Sequence, residues 1–157
     1  MVTAEDLYRL PEDGLHHELV QGRLVNELPP GARHGAVAAR ITYLLSQYTE
    51  AHRSGIVLAN DTGFILHRSP DTVRAPDVAW LRRERYLALE NDALMIPGPP
   101  DIAIEVLSPG NRPAEIHAKV ADYLAAGCTL VWVLEPGTRE VHSYRQLLAP
   151  EILRGNA

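Results

Sequence analysis

The sequence predicts an α/β domain in which a central mixed sheet is flanked by helices, and three stretches predict it. Residues 101–134 read strand, helix, strand, a parallel βαβ unit that is right-handed by rule. Residues 16–28 read as a hairpin, which brings antiparallel pairing into the sheet. Residues 33–53 place apolar side chains at helical spacing and supply a long amphipathic helix. No internal repeat, low-complexity stretch or linker divides the chain, so residues 1–157 are expected to form one domain.

The elements follow in order. Thr3 followed by Asp6 is a capping arrangement for a short helix that ends before Pro11. HHELV and RLVNEL are extended runs about the tight turn Gln21–Gly22, and Pro29, Pro30 and Gly31 break the second run. In the long helix Val37, Ile41, Leu44, Leu45 and Tyr48 form the apolar stripe, and Gly55 is expected to end it. Extended segments follow at 56–60, 63–67 and 77–81, then a short helix over 82–89 and the breaker PGPP. DIAIEVLS at 101–108 is dense in β-branched and aliphatic residues, the mark of a strand covered on both faces. Ser108 to Asn111 turn the chain into a helix over 112–126, closed by Gly127. TLVWVL is a second buried strand, EPGT a turn, and residues 139–145 a final strand.

Composition narrows the setting. The chain is 46% hydrophobic and 22% charged, as soluble globular proteins are. One cysteine, Cys128, excludes an internal disulfide and a cysteine-based zinc cage, and a reducing cytoplasm is the expected home. The acidic opening MVTAEDLYRLPED has neither the basic nor the apolar region of a signal peptide. No apolar run approaches the ~20 residues of a membrane helix. The net charge of −5 argues against a general nucleic-acid coat. Residues 33–85 nonetheless hold eight arginines against five acids, either a phosphate-facing surface or simply a solvated arginine-rich set.

Fourteen of the fifteen basic residues are arginine; the exception is Lys119. Lysine can lose its proton near neutral pH and can stand as a compact charge beside a reacting group, which arginine cannot. On its helix Lys119 neighbours Ile116 and Tyr123 at spacings of three and four, at the edge of the buried stripe. Glu105 interrupts an apolar strand and shares a face with Ala103 and Leu107. Left charged and unpaired in a dry core, such a carboxylate costs several kcal/mol. Asp77 heads another apolar strand after Pro76. If the two strands are neighbours, the carboxylates converge on one hard cation, for which magnesium is suited. The right-handed βαβ unit folds Lys119 back over the same face. Each residue also has a plainer reading: Asp77 as a turn cap, Glu105 paired with a buried arginine, Lys119 paired on the surface with Glu115.

These residues carry a family resemblance. RAPDVAWL, PPDIAIEVLSPGN and AEIHAKVADYLAAG, with HHELVQGRLV upstream, resemble the Uma-two family of restriction-endonuclease-like proteins, within the PD-(D/E)xK nuclease superfamily. The resemblance spans residues 3–145 and rests on PD, then EVLSP, then the K-x-x-x-Y-x-x-x-G run. It implies a restriction-endonuclease-like fold and magnesium- or manganese-dependent hydrolysis of DNA phosphodiesters. Asp77 and Glu105 would be the metal carboxylates, and Glu18 an additional acidic ligand or water-orienting group. The superfamily lysine normally stands two residues after the second acid, where this chain has Leu107; in this family it moves to the next helix, as Lys119. DNA is the implied partner, and a homodimer the implied acting form. The ending LLAPEILRGNA is shorter than the family's usual one, which puts in question any dimer contact or substrate wall built there.

Other motifs add little. Adjacent strand residues His16 and His17 point to opposite faces and cannot serve one site. No H-E-x-x-H occurs, so zinc catalysis is not expected. His34, at the start of the long helix, either leans toward the active site through the hairpin of Glu18 or, as the favoured reading, is a solvated cap-region histidine; His117 reads as surface. Cys128, Trp80 and Trp132 read as core, Ser108 as a turn residue, and Arg82, Arg83 and Arg85 as a solvated or phosphate-contacting cluster. Against the endonuclease stand two rivals: a nuclease-fold module that binds DNA or a protein without cutting, and a structural domain of a mobile-element protein.

Overall fold

A computed structural model describes residues 1–11, 13–27, 29–59, 62–90 and 93–155. Leu28 and Asn60, which end two of the expected extended runs, lie outside the described residues.

In chain order the elements begin with α1 (Ala4–Tyr8), β1 (His16–Val20), β2 (Arg23–Glu27), α2 (Ala32–His52) and β3 (Gly55–Ala59). Next come β4 (Phe64–His67), β5 (Thr72–Arg74), β6 (Val78–Arg82), α3 (Arg83–Leu87), β7 (Ile96–Pro97) and β8 (Ile102–Val106). The chain closes with α4 (Pro113–Ala125), β9 (Leu130–Glu135), β10 (Glu140–Tyr144) and β11 (Glu151–Arg154). The α/β class and the mixed pairing are as expected. The strands divide between two sheets, where a single central sheet was expected. One has the order β2-β1-β5-β4-β7, the other β11-β10-β9-β8-β6-β3. Each is mixed: β4–β7 and β8–β9 are parallel, and the other described pairs are antiparallel.

The six-stranded sheet carries a helix on each face. Alternation along β8 sends Ala103 and Glu105 one way and Ile104 and Val106 the other. Ala103 joins Val131, Val133, Val120 and Tyr123 under α4. Ile104 and Val106 pack with Val37, Ala38, Ile41 and Leu45 of α2. Leu44 and Tyr48, read as part of that stripe, instead face outward, 44% and 60% exposed. The five-stranded sheet packs Leu19 and Val73 against Ala4 and Leu7 of α1. Phe64 and Ile96 reach across to Ala79 and Leu81, so the sheets share an apolar seam.

Local chemistry explains most boundaries. Thr3 and Asp6 form the expected capping box on α1. Gln21 and Gly22, at φ 49° and 73°, make the left-handed pair that a two-residue hairpin turn requires. The end of α2 differs from expectation. Arg53, at φ 49°, takes the left-handed capping position, and Gly55 already belongs to β3. Gly55 is needed for another reason: a Cβ there would stand 2.1 Å from the Leu81 carbonyl oxygen of β6. Ser108 and Asn111 bond to each other across the turn into α4, and Pro113 occupies its first turn. The short strands β5, β7 and β11 were not expected. Each has four residues or fewer, too short for alternation to declare itself.

Candidate active site

Asp77 stands immediately before β6, Glu105 near the end of β8, and Lys119 midway along α4. Antiparallel pairing of β6 with β8 sets Val78 opposite Ile104, which brings Asp77 to the Glu105 end of β8. The Val106 amide then donates to Asp77 Oδ2 at 2.6 Å. All three residues line one cleft of about 1090 Å³, bounded by the β1–β2 hairpin, the first half of α2 and the Ser108–Asn111 turn.

Lys119 is 6% exposed and lies among three carboxylates. Its Nζ is 2.8 Å from Glu27 Oε1 and 3.4 Å from both Glu18 Oε1 and Glu105 Oε2. The surface pairing with Glu115 does not form; Glu115 approaches Arg112 instead. Register explains the convergence. On the hairpin Glu18 faces Val25 and His16 faces Glu27, so Glu18 and Glu27 are diagonal neighbours on one face. Glu18 is 3% exposed. It accepts from Arg74 at 2.7 Å and from the Ala75 amide at 2.9 Å. Arg74 also donates to Asp122 of α4, which ties the five-stranded sheet to that helix. The Tyr123 hydroxyl donates to Glu105 Oε1 at 2.8 Å.

Burial dominates the electrostatics. It pushes the Glu105 carboxyl up to about 8; Asp77 and Glu18 add to the rise, and Lys119 and Tyr123 oppose it. Burial also raises Asp77, while the Val106 amide, His34 and Lys119 pull it back. At Lys119 burial works against the charge, yet Glu105, Glu18 and Glu27 outweigh it and raise its pKa. Tyr123 is raised well above its ordinary value by burial and by Glu105, so it remains a hydroxyl donor.

Two contacts escape the sequence reading, those of Glu27 and Tyr123, and a third, that of His34, goes to its less favoured alternative. His34 is only 10% exposed, and its Nε2 lies 3.1 Å from Asp77 Oδ2. Its position in the first turn of the long helix, near the Glu18 hairpin, was the available signal. Glu27 looked like an ordinary hairpin acid, and Tyr123 like core. Several arginines of the 33–85 segment prove committed. Arg68 pairs with Glu5 and Asp71, Arg74 with Glu18 and Asp122, and Arg82 and Arg85 with Asp101. Among the described residues, one set of three potential ligands has its atoms within 4.8 Å of one another: Glu135, Glu140 and His142 on the β9–β10 hairpin. Arg154 donates to Glu140 there at 2.7 Å. Asp77, Glu105 and Glu18 do not form so tight a set, but they supply the hard oxygen donors that magnesium favours.

No curated protein matches the chain. Among solved structures it is similar to "a putative nuclease belonging to DUF820" from Anabaena variabilis ATCC 29413. The TM-score is 0.84, at 20% identity, over 99% of this chain and 86% of that one. At that identity the likeness establishes the nuclease fold alone. Family membership comes from the sequence: the model of the Uma2 family, described as "Putative restriction endonuclease", matches residues 4–156. With that match running nearly end to end, the chain belongs to the Uma2 family.

Proposed function

We propose that the protein is a magnesium- or manganese-dependent endonuclease that hydrolyses DNA phosphodiester bonds. One observation supports this above the others: Asp77, Glu105 and Lys119 reach a single cleft from three different elements.

Asp77 and Glu105 would hold the divalent ion. Among the described residues both contacts to Asp77 fall on Oδ2, from Val106 and His34, which would leave Oδ1 to the ion. Glu105, easily protonated in the free protein, would be held ionised by a divalent charge beside it. Bound there, the ion supplies Lewis acidity at the phosphate and lowers the pKa of the attacking water. Lys119 orients that water or stabilises the charge building on the phosphate. The water oxygen bonds to phosphorus, the bond to the leaving sugar oxygen breaks, and that oxygen takes up a proton. Glu18 assists through Lys119. With its oxygens already engaged by Arg74, Ala75 and Lys119, we give it the orienting part over the ligand part.

Cutting both strands of a duplex calls for two such sites, and we take the acting form to be a homodimer. Leu44 and Tyr48 of α2 face outward and are offered to a partner. Cys128 is buried and unpaired, which suits a reducing cytoplasm.

Calorimetric titration with magnesium or manganese tests the metal, and plasmid nicking tests the chemistry. Wild type is expected to bind metal and nick DNA; Asp77→Ala loses the first and Lys119→Ala the second. Metal binding unchanged by Asp77→Ala would end the enzyme reading and leave a nuclease-fold module that binds without cutting.

A further inference from the structure

We infer that Glu27 occupies the place on Lys119 that the DNA phosphate takes, so that substrate enters by displacing this carboxylate. The inference rests on the nuclease reading above and adds a residue that controls access to it.

An ammonium group has three N–H donors, and Lys119 has three carboxylates around it. Its side chain is only 7% exposed, so a phosphate reaches the ammonium only where one of these acids gives way. One of the three acids must therefore release the lysine before it can act, and their surroundings differ. Glu18 is 3% exposed and is held in addition by Arg74 and the Ala75 amide. Glu105 is 4% exposed and is held by the Tyr123 hydroxyl. Glu27 has no second partner among the described residues, and its side chain is 39% exposed. It also sits at the end of β2, the outer strand of its sheet, whose other residues face solvent. Glu18 is anchored three times, Glu105 twice and the rim acid once.

The cleft offers a phosphate no easier cation. Arg74, its other charged donor, spends its guanidinium on Glu18 and Asp122. The remaining formal charges on the wall are acidic, Asp77 and Glu115 among them. A phosphate entering this wall meets repulsion from Glu27, and gains a lysine when Glu27 swings into solvent. Glu27, whose side chain is already 39% exposed, regains hydration as it swings, which offsets part of the pairing it gives up. In the free protein the same contact keeps Lys119 charged and fixed among acids that would otherwise repel one another.

The test is binding of a labelled DNA duplex by fluorescence anisotropy, with calcium replacing magnesium so that a hard cation of looser geometry fills the site. Glu27→Gln is expected to bind roughly three- to fivefold more tightly than wild type, the range of one exposed charge pair. Glu115→Gln is the control, since it removes the same charge from the same wall without touching Lys119. Equal gains from both variants would reduce the effect to general charge and overturn the inference. Weaker binding by Glu27→Gln would overturn it too, by marking Glu27 as a metal ligand. If wild type neither binds DNA in calcium nor cuts it in magnesium, the nuclease reading fails and this inference with it. A second measurement is independent of the variant's folding. Lys119 is the only lysine, so ¹⁵N-lysine labelling gives a single side-chain ammonium signal. DNA is expected to shift that signal in the wild-type protein, and a signal indifferent to bound DNA would overturn the displacement.

Discussion

His34 Nε2 lies 3.1 Å from Asp77 Oδ2, in a contact that joins the first turn of α2 to the head of β6. The Val106 amide donates to the same oxygen at 2.6 Å. Two partners on one oxygen fix the carboxylate's orientation and spare the other oxygen. Groups that orient a metal carboxylate typically change metal affinity or activity by about 10–100-fold when removed. His34→Ala is therefore expected to weaken magnesium or manganese binding within that range, and His34→Gln, which keeps a donor, to recover most of it. Calorimetry on the folded variants decides the matter: identical affinities for wild type and His34→Ala would make the contact incidental.

Glu105 sets the pH behaviour of the metal-free protein. Its folded pKa, pushed up to about 8, lies above the ordinary value of 4.5. The folded state therefore binds more protons than the unfolded state between those values, and stability falls as pH rises through that window. Lys119 has a pKa raised above its ordinary 10.5, so its contribution is fully present throughout. Urea unfolding without metal should show the protein more stable at pH 5 than at pH 8, by an amount on the order of a few kcal/mol. Glu105→Gln should flatten the profile. A divalent ion should restore stability mainly at the alkaline end, where it finds the ionised carboxylate.

The architecture was largely legible because periodicity is a local signal. DIAIEVLS, the helix after it and TLVWVL declared themselves by composition and spacing, and Glu105 stood out as a charge where none belonged. Lys119 stood out as the only lysine. The contacts around them were not legible, since they depend on which strands lie side by side. Nothing near Glu27 in sequence says that hairpin register carries it to a lysine 92 positions away. Nor does anything in the 33–53 periodicity say that His34 meets Asp77. The division into two sheets was hidden for the same reason: β5 has three residues and β7 two, and only pairing makes them strands.

Tyr123 contributes a hydroxyl where its neighbours contribute only bulk. It is fully buried and donates to Glu105 Oε1 at 2.8 Å. Phenylalanine fills the same space without the donor. Hydrogen bonds to charged groups are worth about 1.5–3 kcal/mol, so Tyr123→Phe should lose roughly that much stability where Glu105 is ionised, and less at pH 5. Because the ionised carboxylate loses a donor, the midpoint of the pH–stability profile should move upward. A loss that is the same at both pH values would show that the hydroxyl does not act through Glu105.

Gly55 tests the close approach of β3 to β6. A Cβ would stand 2.1 Å from the Leu81 carbonyl oxygen and 2.6 Å from Trp80 Nε1, so backbone has to move. Overpacking a fitted interior typically costs about 1–3 kcal/mol, and Gly55→Ala is expected at or above the upper end. Gly55 pairs with Arg82, at the end of β6 remote from Asp77, so the loss should fall on stability and leave metal binding near the wild-type value. Thermal unfolding and calorimetry on one preparation measure both.

Lys119 has a structural part as well as the proposed chemical one, and two substitutions separate them. Lys119→Met removes the ammonium and leaves Glu18, Glu27 and Glu105 facing one another without their shared cation. Breaking a buried ion pair by deleting one partner costs about 3–5 kcal/mol, and a loss of that size is expected at pH 8. It should shrink toward pH 5, where Glu105 is protonated and its charge needs no partner. Lys119→Arg keeps the charge but replaces a compact ammonium with a wider planar fork in a space closed by three carboxylates. It should recover part of the stability while leaving plasmid nicking far below wild type. If arginine restored nicking in full, a positive charge alone would suffice, and the specific demand for lysine at this position would fall.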